Sequence, residues 1–206
     1  MNRTSRLLAI ALLAATTGCN SLIGGPALSP TIYAPQPKLQ ADAGWPAVAW
    51  SLEIAQDGAA GMLGGSRIMV SPVAGEVQVY KSALWARTPA AMVEDAVLRT
   101  LEDSGKIKAV ARQDSGIAAD YRLLLEVREF TSDYAGGATP SAVIEVNAKL
   151  LRLSDQTLVA SRNFRQAQAA DGTEVARVTH AFAQALGAVG HDIAGWTLQA
   201  GPSPKR

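Results

Sequence analysis

One cysteine and two histidines are the side chains of this sequence with the greatest capacity for covalent or metal chemistry. His180 and His191 stand eleven residues apart in a segment of helical periodicity, which separates them by about three turns, or roughly 16 Å. At that separation they cannot share a metal ion, and two ordinary polar helix positions are expected. Cys19 has no second cysteine with which to form an internal disulfide, so its role must come from its surroundings.

The motifs of common enzyme classes are missing from the sequence. No Cys/His spacing suits zinc, no Gly-x-Ser-x-Gly elbow is present, and the glycine-rich run Gly61–Ser66 lacks the lysine and helix of a phosphate loop. Four acids fall off the apolar stripe of a predicted helix and are expected on a solvated face: Glu94, Asp95, Glu102 and Asp103. The sequence therefore predicts neither a catalytic site nor a metal site.

The N-terminal segment explains the lone cysteine. Arg3 and Arg6 precede the nine-residue apolar run Leu7–Ala15, which is much shorter than the ~20 residues that cross a membrane as a helix. This pattern is typical of a signal peptide. The next residues, Thr16–Cys19 (TTGC), resemble the lipobox of bacterial lipoproteins, although the family prefers Leu at the first of these four positions. The alternative is an ordinary signal peptide cut nearby, with a stray thiol.

The lipobox resemblance implies that Cys19 is cut free at its amino side and acquires lipid, including palmitate-type acyl chains, with no other cofactor. One acyl chain holds a protein weakly to a membrane, whereas two or more hold it firmly. Asn20 follows the cysteine. In enteric-type bacteria an Asp at that position retains lipoproteins at the inner membrane, so Asn20 favours the periplasmic face of the outer membrane.

Composition divides the chain into four parts: a signal peptide (1–18), a lipidated Pro/Gly-rich tether (19–46), one folded domain (47–198) and a disordered tail (199–206). Five of the ten prolines lie in the tether, which favours an extended chain. The alternative is an ordered coil packed along the domain. Without Arg3 and Arg6 the 19 basic residues fall to 17, against 18 acidic ones, a balance without the electrostatic footprint of a nucleic-acid-binding protein.

Periodicity predicts an α+β domain with a single, mostly antiparallel sheet and two helices packed on one face. Strands are expected at 48–54, 67–73, 76–80, 108–110, 121–130, 143–153 and 157–169, the last three as an antiparallel meander. The first helix begins at the N-cap Thr88 and ends before Gly105. The second follows a capping box of Asp171 and Glu174. Its glycines are expected to permit close packing against strands: Gly187, Gly190 and Gly195.

Four stretches of the chain carry a family resemblance: Ala83–Arg87 (ALWAR), 120–130 (DYRLLLEVREF), 144–150 (IEVNAKL) and 191–195 (HDIAG). They resemble the auxiliary lipoproteins of ABC-type lipid transport systems, including the paraquat-inducible type that works with MCE (mammalian cell entry) proteins. The resemblance covers roughly residues 68–198. It implies a transport accessory rather than an enzyme, with an MCE-type protein, an ABC permease and an ATPase as partners, which docks the assembly to the outer membrane or helps lipid pass between membranes.

Trp85 and Arg87 are the candidate partner contacts, because Trp and Arg are enriched at binding hot spots and their segment has little periodicity of its own. The alternative is that Trp85 packs on the sheet as a lid. Two other functions stay open: an outer-membrane assembly lipoprotein that binds a barrel protein and, least favoured, a lipid-anchored periplasmic hydrolase. The transported substrate, the oligomeric state and the partner-binding surface are left undefined by the sequence.

Overall fold

The structure, a computed structural model, describes residues 29–57 and 61–202, so Cys19 and the predicted signal peptide lie outside the described residues. The strands are β1 (Thr31–Tyr33), β2 (Val48–Gln56), β3 (Arg67–Ser71), β4 (Gln78–Trp85), β5 (Ile107–Arg112), β6 (Tyr121–Asp133), β7 (Ser141–Arg152) and β8 (Thr157–Ala169). The helices are α1 (Pro89–Ser104) and α2 (Val175–Ala200), and a short 3-10 helix spans Gly61–Gly64. Within the described ranges no helix is both long and apolar enough to cross a membrane.

Helix α1 has the ends that the sequence predicts. The Thr88 hydroxyl accepts a hydrogen bond from the Ala91 N–H at 3.3 Å, and Pro89 occupies the first helical position. Gly105 ends the helix in the left-handed conformation, with φ of 60°, and its N–H donates to the Glu102 carbonyl. Thr88 thus satisfies one of the free amides at the start of the helix, and Gly105 takes a conformation that other residues adopt at a cost.

The capping box predicted for helix α2 is not formed. The helix begins at Val175, and the Glu174 side chain at the N-cap makes no capping hydrogen bond; its carboxylate pairs with Arg177 at 3.1 Å instead. Asp171 lies three residues further out, where its carbonyl accepts a hydrogen bond from Arg177 Nη1 at 3.1 Å. The prediction was wrong because the helix begins too late in the sequence for Asp171 to reach its free amides.

Strand β6 organises one eight-stranded sheet. One of its edges pairs along the whole strand with β7, which pairs in turn with β8. The other edge pairs first with β2, through Tyr121–Leu125, and then with β3, through Thr131–Asp133. Beyond β2 lies β5, and beyond β3 lie β4 and β1. The sheet therefore forks at β6, and we call the branch formed by β3, β4 and β1 the arm.

The sheet is mixed, so the expectation of a mostly antiparallel sheet was wrong. Four of the seven pairings among the described strands are parallel: β1 with β4, β2 with β5, β2 with β6, and β3 with β6. The meander of β6, β7 and β8 is antiparallel, as predicted. A side-chain period of two is the same for either strand direction, so periodicity identifies the strands but cannot show which distant strands become neighbours.

Both helices lie on one face of the sheet, and the core fills the space between them and β6 and β7. Leu123, Ile144 and Phe182 are at most 1 % exposed there. The other face is polar, and ion pairs connect its strands: Arg122 bonds to Glu53, and Lys149 lies 3.2 Å from Asp57. Burial of the apolar face against the helices thus fixes the sheet and positions the segments described next.

Candidate functional site

Residues 31–45, which the sequence assigns to the tether, belong to the compact unit that begins at Thr31. Strand β1 pairs in parallel with β4, and the Tyr33 carbonyl accepts a hydrogen bond from the Ala86 N–H at 2.8 Å. Twelve residues further on, Trp45 is 6 % exposed. We call residues 34–45 the strap. The ordered-coil alternative describes this part of the segment, so twelve residue steps separate Cys19 from the compact unit.

Three glycines of α2 form the surface on which the strap and α1 rest. A Cβ at Gly187 would lie 2.8 Å from the carbonyl oxygen of Lys38, and one at Gly195 would lie 2.8 Å from the indole nitrogen of Trp45. A Cβ at Gly190 would lie 3.1 Å from the methyl group of Ala96 in α1. These glycines do permit close packing, but against the strap and α1 rather than against strands.

A cleft of about 360 Å³ opens between the strap and α1, within the size range of small ligand pockets. Four polar side chains line it, Gln36, Arg87, Asp95 and Arg99. Its apolar lining consists mainly of Pro35, Pro37, Leu39, Met92 and Leu186. The cleft thus combines arginine side chains with apolar walls, an arrangement that suits a group negatively charged at one end and apolar at the other.

An ion-pair network holds Arg87 at the rim of the cleft. Arg87 Nη1 lies 2.6 Å from Asp95, which also bonds to Arg112 of β5. Arg112 Nε lies 3.0 Å from Glu94, whose carboxylate also accepts from Gln56. The expectation that Glu94 lies on a solvated face was wrong: it is 6 % exposed, because β2 and β5 supply its partners.

Arg99 is the cleft arginine that the sequence pattern does not single out. It is exposed on α1 and takes part in none of the ion pairs among the described residues, whereas Arg87 is neutralised by Asp95. For the strap, proline content favoured an extended chain, and an ordered coil packed along the domain was kept as the alternative. Leu39 and Trp45 of the strap, with Tyr33 of β1 just before it, favour the ordered coil, because a solvated linker rarely carries so many large apolar residues.

Trp85 lies in the core and is 2 % exposed. Its ring meets Phe130 and Phe182 edge-on, at centroid distances of 5.8 and 5.1 Å. Its Nε1 has no hydrogen-bond partner among the described residues. The indole is therefore placed to stabilise the domain, and of the two residues proposed as partner contacts only Arg87, whose side chain is 47 % exposed, reaches the surface.

Acids with altered pKa values lie away from the cleft. The backbone N–H and the hydroxyl of Ser51 each bond to Asp120 at 2.8 Å, which lowers the pKa of Asp120. Burial raises the pKa of Glu129. Within the described ranges, no group of three or more His, Cys, Asp and Glu residues is placed to hold a metal ion.

Comparison with known protein families assigns this chain to one of them. The family described as ABC-type transport auxiliary lipoprotein component matches residues 31–194, from β1 into α2. The chain belongs to this family. The match starts at the first residue of the compact unit, so strap, cleft and arm all lie within the part of the auxiliary lipoprotein that defines the family.

Solved structures agree with this assignment. The crystal structure of protein XCC0632 from Xanthomonas campestris, described as DUF330, shares 49 % sequence identity with the auxiliary lipoprotein at a TM-score of 0.79, covering 82 % of this chain and 95 % of the other. The crystal structure of an uncharacterized protein shares 16 % identity at a TM-score of 0.57, covering 81 % and 97 % of the two chains. The second likeness concerns the fold alone.

A relative from Bradyrhizobium diazoefficiens, described as an uncharacterized protein, is 27 % identical over 150 residues. The alignment covers 73 % of the auxiliary lipoprotein and 40 % of the relative. The chain therefore spans about two fifths of the length of this curated relative.

Proposed function

We propose that the protein is a lipid-anchored periplasmic accessory subunit of an ABC-type transport system associated with an MCE protein. Its role is to dock the transporter to the outer membrane or to form a bridge between the transporter and that membrane. The family match over residues 31–194 carries the proposal. Cys19, which follows an apolar segment and a small residue, supplies the anchor, and Asn20 favours the outer membrane as the membrane that receives it.

The ordered strap limits how far such an anchor lets the domain travel. Twelve residue steps lie between Cys19 and Thr31, and a fully extended chain covers ~3.3–3.6 Å per residue. The compact unit then stays within roughly 40 Å of its lipid. A subunit held this close to one membrane is suited to fixing a partner there rather than to carrying cargo over long distances.

The rim of the cleft is the partner contact that we propose within the described residues. Arg87 and Arg99 are both exposed there, and arginine is enriched at binding hot spots because its planar group forms several directed hydrogen bonds. Asp95 neutralises one of the two charges. The rim therefore keeps one cationic group for an acidic residue of the partner, beside apolar walls that can receive an aliphatic side chain.

The proposal is tested by purifying the tagged, lipidated protein from detergent-solubilised native membranes and identifying what accompanies it by mass spectrometry. We expect an MCE protein together with its permease and ATPase. Recovery of a barrel protein alone would favour the outer-membrane assembly function instead, and recovery of no partner would reject the accessory role. Arg87→Ala combined with Arg99→Ala should reduce recovery about tenfold or more, whereas Arg177→Ala, at an exposed arginine of α2, should not.

Cys19→Ala tests the anchor separately. If the signal peptide is still cut, the variant should move from the membrane fraction to the soluble periplasm, because lipid is the lasting membrane attachment predicted from this sequence. Fractionation followed by immunoblotting measures the distribution. A cleaved variant that stays with the membrane would show that a partner or another surface of the protein is sufficient for attachment.

A further inference from the structure

The arm carries most of the large apolar side chains that the described residues leave exposed. Five such residues are found in the described ranges, and three of them lie in β1 or in the turn between β3 and β4: Ile32, Val73 and Val77, at 66 %, 52 % and 48 % exposure. The other two, Ile117 and Leu158, lie on different parts of the domain. The arm therefore exposes apolar side chains at both of its ends, in β1 and in the β3–β4 turn.

Ile32 lies at the end of the arm opposite the turn that carries Val73 and Val77, because its partner Leu84 is near the end of β4. Ile32 of β1 is opposite Leu84 of β4, and Leu84 is opposite Arg67 of β3. These three form a row across the arm. Trp85, the next residue of β4, points into the core, and since neighbouring side chains of a strand point to opposite faces, the row lies on the face away from the helices. The arm thus presents an open face with Ile32 at its edge and a guanidinium group at the other end of the row.

Charge on the arm is mainly positive. Arg67 and Lys81 are both exposed, and neither takes part in an ion pair among the described residues. Glu76, in the turn, is the one acid between Arg67 and Trp85, and its carboxylate accepts a hydrogen bond from Gln78. An exposed isoleucine beside unpaired cations can make a weak contact with the surface of an anionic bilayer, through a small apolar area and electrostatic attraction.

We propose that the face of the arm around Ile32, Leu84 and Arg67 rests on the surface of an anionic membrane. The inference rests on the proposed lipid attachment at Cys19, because the chain that leads to that cysteine enters the compact unit at β1. Twelve residue steps keep this face within roughly 40 Å of the lipid. A tether of that length makes a weak contact effectively intramolecular, so one isoleucine and two cations are enough to orient the domain.

The test replaces the lipid by a different tether, so that failure of lipidation at Cys19 does not affect it. The chain from residue 20 onwards carries an N-terminal hexahistidine tag and is held on vesicles that contain nickel-chelating lipid and phosphatidylglycerol. It has no cysteine of its own. Ile32→Cys therefore places a single environment-sensitive fluorophore in the arm, and this apolar group takes the place of the isoleucine side chain. Leu158→Cys carries the same apolar group at a residue 59 % exposed on the outermost strand β8, and provides the matched control.

We expect the fluorophore at position 32 to shift its emission to shorter wavelength and to be quenched by nitroxide-labelled lipid, while the one at position 158 stays in water. The double substitution Arg67→Glu and Lys81→Glu should reduce the shifted fraction several-fold. Equal spectra at the two positions would overturn the proposal, as would a shifted fraction that the charge reversal leaves unchanged. A probe at position 32 that is shielded only after a protein partner is added would assign the arm to that partner and also reject the membrane contact.

Discussion

A single methyl group at Gly187 should loosen the strap without unfolding the domain. Alanine raises helix propensity by up to ~1 kcal/mol at such a position. Its Cβ, however, would lie 2.8 Å from the Lys38 carbonyl oxygen, which is backbone and cannot rotate away. Overpacking of this kind typically costs ~1–3 kcal/mol. Because α2 is held by the core, the strap is the element that moves, and its docked state loses about 1–2 kcal/mol.

Trypsin measures this change directly, because Lys38 is exposed and lies in the strap. Cleavage of a segment that opens and closes rapidly follows the open population, and a loss of 1–2 kcal/mol raises that population roughly 5–30-fold. Gly187→Ala should therefore be cut after Lys38 about 5–30 times faster than the parent. The control is Gln184→Ala, at an exposed position of the same helix. An unchanged cleavage rate in Gly187→Ala would refute the role assigned to this glycine.

Three further predictions concern stability, each measured by urea unfolding. Trp85→Ala should lower the free energy of unfolding by ~3–5 kcal/mol because it leaves a cavity. Trp85→Phe should lower it much less, because the indole N–H has no hydrogen-bond partner among the described residues. An unaltered unfolding midpoint together with lost partner binding would instead place Trp85 at an interface. Thr88→Ala should cost ~1 kcal/mol and Thr88→Ser much less, and equal midpoints would exclude a capping role. Asp120→Asn should cost about 1 kcal/mol at pH 7. The folded-state pKa of Asp120 is lowered, so its contribution to the free energy of unfolding is present above its ordinary pKa and disappears as pH falls through the lowered pKa. A difference between Asp120→Asn and the parent that does not change with pH would contradict this.

Local features of the sequence predicted local structure well. Thr88 and Gly105 marked the ends of α1 because capping depends on side chains and conformations within a few residues. The predicted strand at 157–169 agrees with β8 at both ends. Other elements were longer than predicted: β4 extends to Trp85, and β6 to Asp133. Helix α2 reaches Ala200, and Trp50 Nε1 bonds to the Pro202 carbonyl at 3.2 Å, so the expected tail from residue 199 is ordered as far as Pro202.

Features that depend on contacts between distant segments could not be read in the same way. The parallel pairing of β2 with β6 leaves no mark on either strand, because both alternate in the same manner in any sheet. The strap illustrates the same difficulty. Its prolines suit an extended linker, and only the surface formed by Gly187 and Gly195 explains why it docks. The cleft was unpredictable for this reason as well, since one wall is the strap and the other is α1.

The position of the strap determines where mechanical tension enters the molecule. With the lipid on Cys19 as proposed, a pull on that lipid would reach the domain at Thr31 and load the three paired residues of β1. Only then would it reach the strap contacts at Lys38 and Trp45. The central strand β6 lies outside this path. Release of β1 and the strap would lengthen the chain between Cys19 and the first residue held by the domain from twelve to about twenty-seven residue steps. At ~3.3–3.6 Å per residue this is a gain of roughly 50 Å. β1 and the strap can thus detach under load and lengthen the connection to the membrane before the core is disturbed.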